Sequence, residues 1–136
     1  MFTYKTRIHL RDTDATGVLY FTEQLRLALE TFEAYLHSQG ISLRVILQTT
    51  PFLLPIVHAE ADYFAPLQVG DPVEITWSVE KIGSSSFTSQ FSFFDPARKL
   101  EVGKACIVHV VISRETKKSI PIPEMILRSL QAGSLK

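Results

Sequence analysis

Only one stretch of this chain carries apolar residues at helical spacing for long enough to cover a sheet. Over residues 20–38, Leu25, Ala28, Leu29, Phe32, Tyr35 and Leu36 recur three and four apart. Glu23, Arg26, Glu30 and Glu33 fall largely on the opposite side, and Gly40 stands just past the end, where a left-handed position favours glycine. Most of the remainder alternates with period two. Phe2, Tyr4, Thr6, Ile8 and Leu10 predict a strand over 2–11 with one wet face. Residues 53–64 read as extended. Val73, Ile75, Trp77 and Val79, then Phe87, Ser89, Phe91 and Phe93, continue the alternation between turns at 83–86 and 95–98. Residues 100–113 are apolar on both faces, as in a central strand or one covered by a second molecule. Short helices are expected at 42–48 and from Pro123 to Leu130. The order is strand, long helix, then four strands in meander. An antiparallel sheet needs one face covered, and helix 20–38 is the only cover. The expected fold is α+β: an antiparallel five-stranded sheet wrapped around one long central helix. It forms a single domain over 1–132, with 133–136 as a C-terminal tail.

The 136 residues suit one domain with a core of its own. Fourteen basic and fourteen acidic residues cancel, so no global field favours nucleic acid or an anionic membrane. No apolar run approaches the ~20 residues of a membrane span, and the first residues lack the pattern of a signal peptide. Cys106 is the only cysteine, which excludes an intramolecular disulfide and points to a reducing, cytoplasmic setting.

Between the first strand and the helix, residues 12–23 read Asp-Thr-Asp-Ala-Thr-Gly-Val-Leu-Tyr-Phe-Thr-Glu. Asp12 and Asp14 can serve as turn or cap residues, as a base or nucleophile, or as ligands of a hard cation. Two carboxylates are few for a metal, and no His or Cys cluster stands nearby, so no metal is expected. Gly17 permits positive φ and close approach to backbone. The first N–H groups of the helix, around Tyr20 and Phe21, lack intrahelical partners and sit at the positive end of the helix dipole. A carboxylate beside such donors suits attack on a carbonyl: one oxyanion donor contributes about 2.7–4 kcal/mol to an acyl-transfer transition state.

The four histidines are scattered. His9 and His37 are expected at the surface, and His109 on a strand face with Ile107 and Val111. His58 lies in an extended segment expected to run beside the helix start, as a structural side chain or a polar contact to substrate. Cys106, within an apolar strand, reads as a small buried residue rather than a nucleophile. There is no Gly-x-Ser-x-Gly elbow, P-loop or dinucleotide fingerprint.

The run from Asp12 to Phe21, followed by an amphipathic helix, resembles the opening motif of hotdog-fold acyl-CoA thioesterases of the 4-hydroxybenzoyl-CoA thioesterase type. The likeness covers nearly the whole chain and includes Ala59-Glu60-Ala61-Asp62-Tyr63-Phe64-Ala65-Pro66 and Gly70-Asp71. The wording Phe52-Leu53-Leu54-Pro55-Ile56-Val57-His58-Ala59 and the Tyr20-Phe21 pair are similar to the cyanobacterial 1,4-dihydroxy-2-naphthoyl-CoA thioesterases of phylloquinone synthesis. Many bacterial relatives carry Tyr-His where this chain has Tyr20-Phe21.

The resemblance implies hydrolysis of an acyl-CoA thioester, an aromatic one for that subgroup. Asp14 would be the catalytic carboxylate, nucleophile or general base. The backbone N–H of Phe21 would be the oxyanion donor, and Gly17 and Val18 would shape the approach. Val18, Tyr20 and His58 would touch substrate, and Asp12 would be structural. No cofactor or metal is implied, because coenzyme A belongs to the substrate. Arg98, Lys99, Arg114, Lys117 and Lys118 would be candidates for its phosphates. The implied assembly is a homodimer joined sheet edge to sheet edge, pairing into a homotetramer, with the acyl group in a tunnel between subunits. A thioesterase for aliphatic or other acyl groups and a catalytically silent acyl-CoA-binding module are the alternatives. A hotdog dehydratase lacks its His-Phe-Pro signature here.

Overall fold

The computed structural model describes residues 1–134. Strand β1 (Phe2–Arg7) leads through a short 3-10 turn (Leu10–Asp12) and a loop into helix α1 (Glu23–Ser38). Helix α2 (Leu43–Thr49) and the short strand β2 (Phe52–Leu53) follow, then β3 (Ile56–Tyr63), β4 (Pro72–Ile82), β5 (Ser86–Asp95), β6 (Leu100–Val110), β7 (Ile112–Ser113) and α3 (Glu124–Gly133). The main sheet has the order β1-β4-β5-β6-β3, every pairing antiparallel, and β2 pairs with β7.

The expected α+β architecture is present. Val73, Ile75, Trp77, Phe87, Phe91 and Phe93 point from β4 and β5 towards α1 and are buried. They meet Leu27, Ala28, Phe32, Tyr35 and Leu36, the inner stripe of the helix. The Tyr35 and Trp77 rings lie 4.2 Å apart, and Phe32 packs on Trp77 and Phe87. Each such side chain contributes about 1.5–3 kcal/mol by leaving water, so this layer holds the helix in the sheet.

Four sequence expectations change. First, β1 stops at Arg7 rather than residue 11. Ile8 pairs with the turn before β4, and then Asp12 Oδ2 accepts the His9 N–H (2.8 Å), a local bond that competes with the ladder. Leu10, expected inside, is therefore exposed. Second, the later strands are not one meander. β4, β5 and β6 follow in order, but β3 crosses to the far edge beside β6. The crossover over 64–71 runs past the start of α1. Third, the strand expected over 100–113 is split: β6 ends at Val110 and lies inside the sheet, as a doubly apolar strand can, with β3 as the edge, and β7 turns away to pair with β2. Fourth, α3 extends to Gly133, three residues past the expected end, and Gly133 is buried against Trp77. Of the expected tail, residues 135–136 lie outside the described residues.

Candidate active site

Residues 12–20 fold into a miniature hairpin. The Asp14 N–H donates to the Val18 carbonyl (2.8 Å), the Gly17 N–H to the Asp14 carbonyl (3.1 Å) and the Tyr20 N–H to the Asp12 carbonyl (2.9 Å). Gly17 closes the turn at φ +79°, a conformation that costs other residues strain. The hairpin is tied to the crossover: the Leu19 N–H donates to the Leu67 carbonyl (2.7 Å), and the Val69 N–H to the Gly17 carbonyl (2.9 Å).

The two aspartates separate by environment. Asp12 is 1% exposed; its Oδ1 accepts the Arg26 guanidinium at 2.5 Å, and Arg26 also binds Glu23 and Glu30. It pins the hairpin to α1 and has no room to react. Asp14 is exposed. Its Oδ1 accepts the Thr16 hydroxyl (2.6 Å), the Thr16 N–H (2.8 Å) and the Val18 N–H (3.3 Å). The Thr16 hydroxyl, then its N–H, hold this carboxyl below the ordinary carboxylate value by stabilising the charged form. Oδ2 has no hydrogen-bond partner among the described residues.

The helix begins at Glu23, three residues later than the period suggested, because 20–22 form a turn closed by the Glu23 N–H on the Tyr20 carbonyl (2.9 Å). Of the two donors expected at the helix tip, Tyr20 is already used by Asp12. The Phe21 N–H has no partner among the described residues. The residue is held at its following peptide, since the Tyr63 hydroxyl donates to the Phe21 carbonyl (2.5 Å). Tyr63 lies in a motif legible in the sequence, but nothing in its spacing marked that contact.

A cavity of about 370 Å³ opens beside this turn. Val18, Leu19, Phe21 and Gln24 form one wall, and Tyr63, Phe64 and Leu67 the other. Asp14 does not line it, but its carboxylate accepts the N–H of Val18, a wall residue. Gln24 escaped the sequence reading because a glutamine on a helix usually faces water. Here it is 2% exposed, and its Nε2 donates to the Asp62 and Lys104 carbonyls, both at 2.9 Å.

His58 is not brought to this cavity within one chain. It sits opposite Val108 on the sheet face turned away from α1, exposed, with its Nε2 3.5 Å from Glu60. Tyr20 is exposed beside Phe21, with ring centroids 4.9 Å apart. Cys106 is half-buried rather than buried; burial, then the charges of Glu80 and Glu60, push its thiol up, away from nucleophilic use. Two of the basic candidates are already engaged. Arg98 binds Asp95 (2.6 Å) and the Pro66 carbonyl, and Arg114 binds the Ile46 and Thr50 carbonyls at the end of α2. Lys99 and the pair Lys117 and Lys118 lie in turns at opposite ends of β6, not in one cluster. No group of three or more His, Cys, Asp or Glu among the described residues could hold a metal ion.

The five-stranded antiparallel sheet wrapped around α1 is a hotdog fold. Residues 8–130 match the thioesterase-like superfamily, and the chain belongs to that family. Among its relatives, the 1,4-dihydroxy-2-naphthoyl-CoA hydrolase of Rippkaea orientalis is 36% identical over 97% of this chain and 96% of its own length. The Synechocystis protein of the same name is 32% identical over 90% of this chain and 89% of its own length. A crystal structure of a 1,4-dihydroxy-2-naphthoyl-CoA thioesterase from Synechocystis superposes with a TM-score of 0.93 at 29% identity, over 99% of this chain and 98% of that one.

Proposed function

We propose that this chain hydrolyses an aromatic acyl-CoA thioester, 1,4-dihydroxy-2-naphthoyl-CoA, in phylloquinone biosynthesis. The observation that carries the reading is that Asp14 Oδ2 and the Phe21 N–H, on one short loop, both lack partners among the described residues. The thioester carbonyl oxygen takes the Phe21 N–H, and the carbon faces Asp14. Oδ2 either attacks that carbon or takes a proton from the water that does. The lowered Asp14 pKa keeps the carboxylate ionised, as both roles require. Gly17 and Val18 set the approach, and Tyr20 flanks it. The relatives' names supply the acyl group.

The chain acts as a homodimer in this reading. β3 is an eight-residue edge strand, exposed at every position but Ala61, and bare edges of that length invite pairing. Ile56, Val57, Tyr63 and Phe64 expose apolar surface along and just beyond it. A second β3 laid against it covers that surface and closes the open cavity. It also brings a second His58 along the seam, the route by which His58 would touch substrate. Association of dimers into a homotetramer rests on the family resemblance alone. No helix among the described residues is long and apolar enough to cross a membrane. A single cysteine, with no partner for an intramolecular disulfide, fits a reducing cytoplasm.

The test is a panel of naphthoyl, benzoyl and fatty acyl-CoA thioesters with a thiol-reactive readout. Fastest release from the dihydroxynaphthoyl ester is expected. Fastest release from a fatty acyl ester transfers the machinery to aliphatic substrates. Binding without any thiol release makes the chain a silent acyl-CoA module.

A further inference from the structure

Gln24 brings a fixed hydrogen-bond acceptor to the cavity. Both hydrogens of its Nε2 are committed, one to the Asp62 carbonyl and one to the Lys104 carbonyl, each at 2.9 Å. The amide cannot turn over, because the reverse orientation would set its oxygen against two carbonyl oxygens. Oε1 lies over Gly103, has no donor among the described residues and is not sealed from solvent, so it stays open beside the cavity that Gln24 lines. Gly103 makes the arrangement possible: a Cβ there would lie 2.7 Å from Gln24 Nε2, 2.9 Å from Oε1 and 2.8 Å from the Asp62 carbonyl. The chain keeps a bare backbone on β6 so that one helical glutamine can lie flat over it. Water can complete that oxygen in the free chain, and a ligand that covers the cavity must offer a donor in its place.

The place of that oxygen says what completes it. Gln24 follows Phe21, whose amide receives the thioester oxygen, by three positions and lies in the first turn of α1. The neighbouring walls are Leu19, Phe64 and Leu67, which suit a flat apolar ring. Coenzyme A leaves from the thioester towards solvent, so the group reaching this depth belongs to the acyl part. An acceptor with no donor of its own selects a hydroxyl and offers nothing to a carboxylate or a carbonyl.

We propose that Gln24 is a specificity-determining residue whose Oε1 accepts a hydrogen bond from a ring hydroxyl of the acyl group. This rests on the thioesterase reading above and adds the feature by which the site tells hydroxylated from bare aromatic acyl groups. A site built to bond a hydroxyl rejects the analogue lacking it, because its own polar atom is then left unpaired.

The experiment measures kcat/KM for 1,4-dihydroxy-2-naphthoyl-CoA and 2-naphthoyl-CoA with the wild-type chain, Gln24→Leu and Gln24→Met. The wild type should favour the hydroxylated ester by about 5- to 100-fold, the range of one hydrogen bond to a buried acceptor. Both variants should lose most of that ratio while still turning over the bare ester. A merely structural role would slow both esters alike and leave the ratio unchanged, which overturns the proposal. A wild-type ratio within about twofold of unity overturns it as well, and that arm decides if neither variant folds. Failure of the wild type to release thiol from either ester defeats the thioesterase reading itself, an outcome distinct from hydrolysis without discrimination.

Discussion

Gly133→Ala sets two opposed effects against each other at the point where α3 closes over the sheet. In a helix, alanine is favoured over glycine by about 1 kcal/mol. Against this, a Cβ at Gly133 would lie 2.2 Å from Trp77 Cζ3, 2.4 Å from Cη2 and 3.3 Å from the Tyr35 hydroxyl. Carbon atoms pack at about 3.5–4.0 Å, so the overlap exceeds an ångström with two ring atoms at once. The Trp77 ring cannot yield: it is fully buried between Phe32 and Tyr35. Tyr35 in turn is anchored by its hydroxyl on the Ser129 carbonyl (2.7 Å). Overpacking costs about 1–3 kcal/mol, and a rigid neighbour puts this site at the upper end. The net loss is about 2 kcal/mol. At an unfolding entropy of about 2 cal/mol/K per residue, that lowers Tm by roughly 7 °C. Differential scanning calorimetry of the two proteins measures it, with turnover per folded molecule unchanged because Gly133 is remote from the Asp14 hairpin. An unchanged or higher Tm would refute the packing argument, since only the helix preference would then be acting.

His109 is buried and stacked on Phe87, and burial pushes its pKa down from 6.5 to about 4. The unfolded chain binds a proton below about pH 6.5 that the folded chain refuses until about pH 4, so stability is full above that window and falls through it, by up to ~3 kcal/mol; urea midpoints between pH 7.5 and 4.5 should show the fall, and His109→Phe should flatten it. Thr16→Val removes the largest cause of the low Asp14 pKa, so the acid limb of the kcat/KM profile should move to higher pH, whereas the wild-type rate should hold until the pH drops below the ordinary carboxylate range. Tyr63→Phe frees the Phe21 carbonyl and loosens the residue whose N–H is the proposed oxyanion donor; kcat should fall with little change in KM, and stability should change by less than about 1 kcal/mol, because the Tyr63 side chain is half in solvent.

The period-two runs of β4 and β5 and the three-four spacing of α1 are visible in the sequence because each buries one face against the other, and burial is what writes a period. The crossing of β3 to the far edge is not, since its alternation is the same whichever neighbour it pairs with. β1 looked four residues too long because Ile8 and Leu10 keep the parity while a single carboxylate, Asp12, turns the backbone. At the site, the hairpin residues Asp14, Gly17 and Phe21 stood out through turn chemistry and family likeness. Gln24 and Tyr63 did not, because each acts on backbone carbonyls remote in sequence, and composition carries no trace of such contacts. His58 presents the opposite case: its segment was legible, but the strand turns its side chain to the face away from α1.

The central claim is that one carboxylate oxygen performs the chemistry, and Asp14→Asn tests it most directly. The amide keeps the side chain's shape and can still accept from Thr16, so circular dichroism and affinity for a non-hydrolysable dihydroxynaphthoyl-CoA analogue should be nearly unchanged. Single-turnover thiol release should drop by at least about a thousandfold. Retention of most of the wild-type rate, in a variant that folds and binds, would contradict the account.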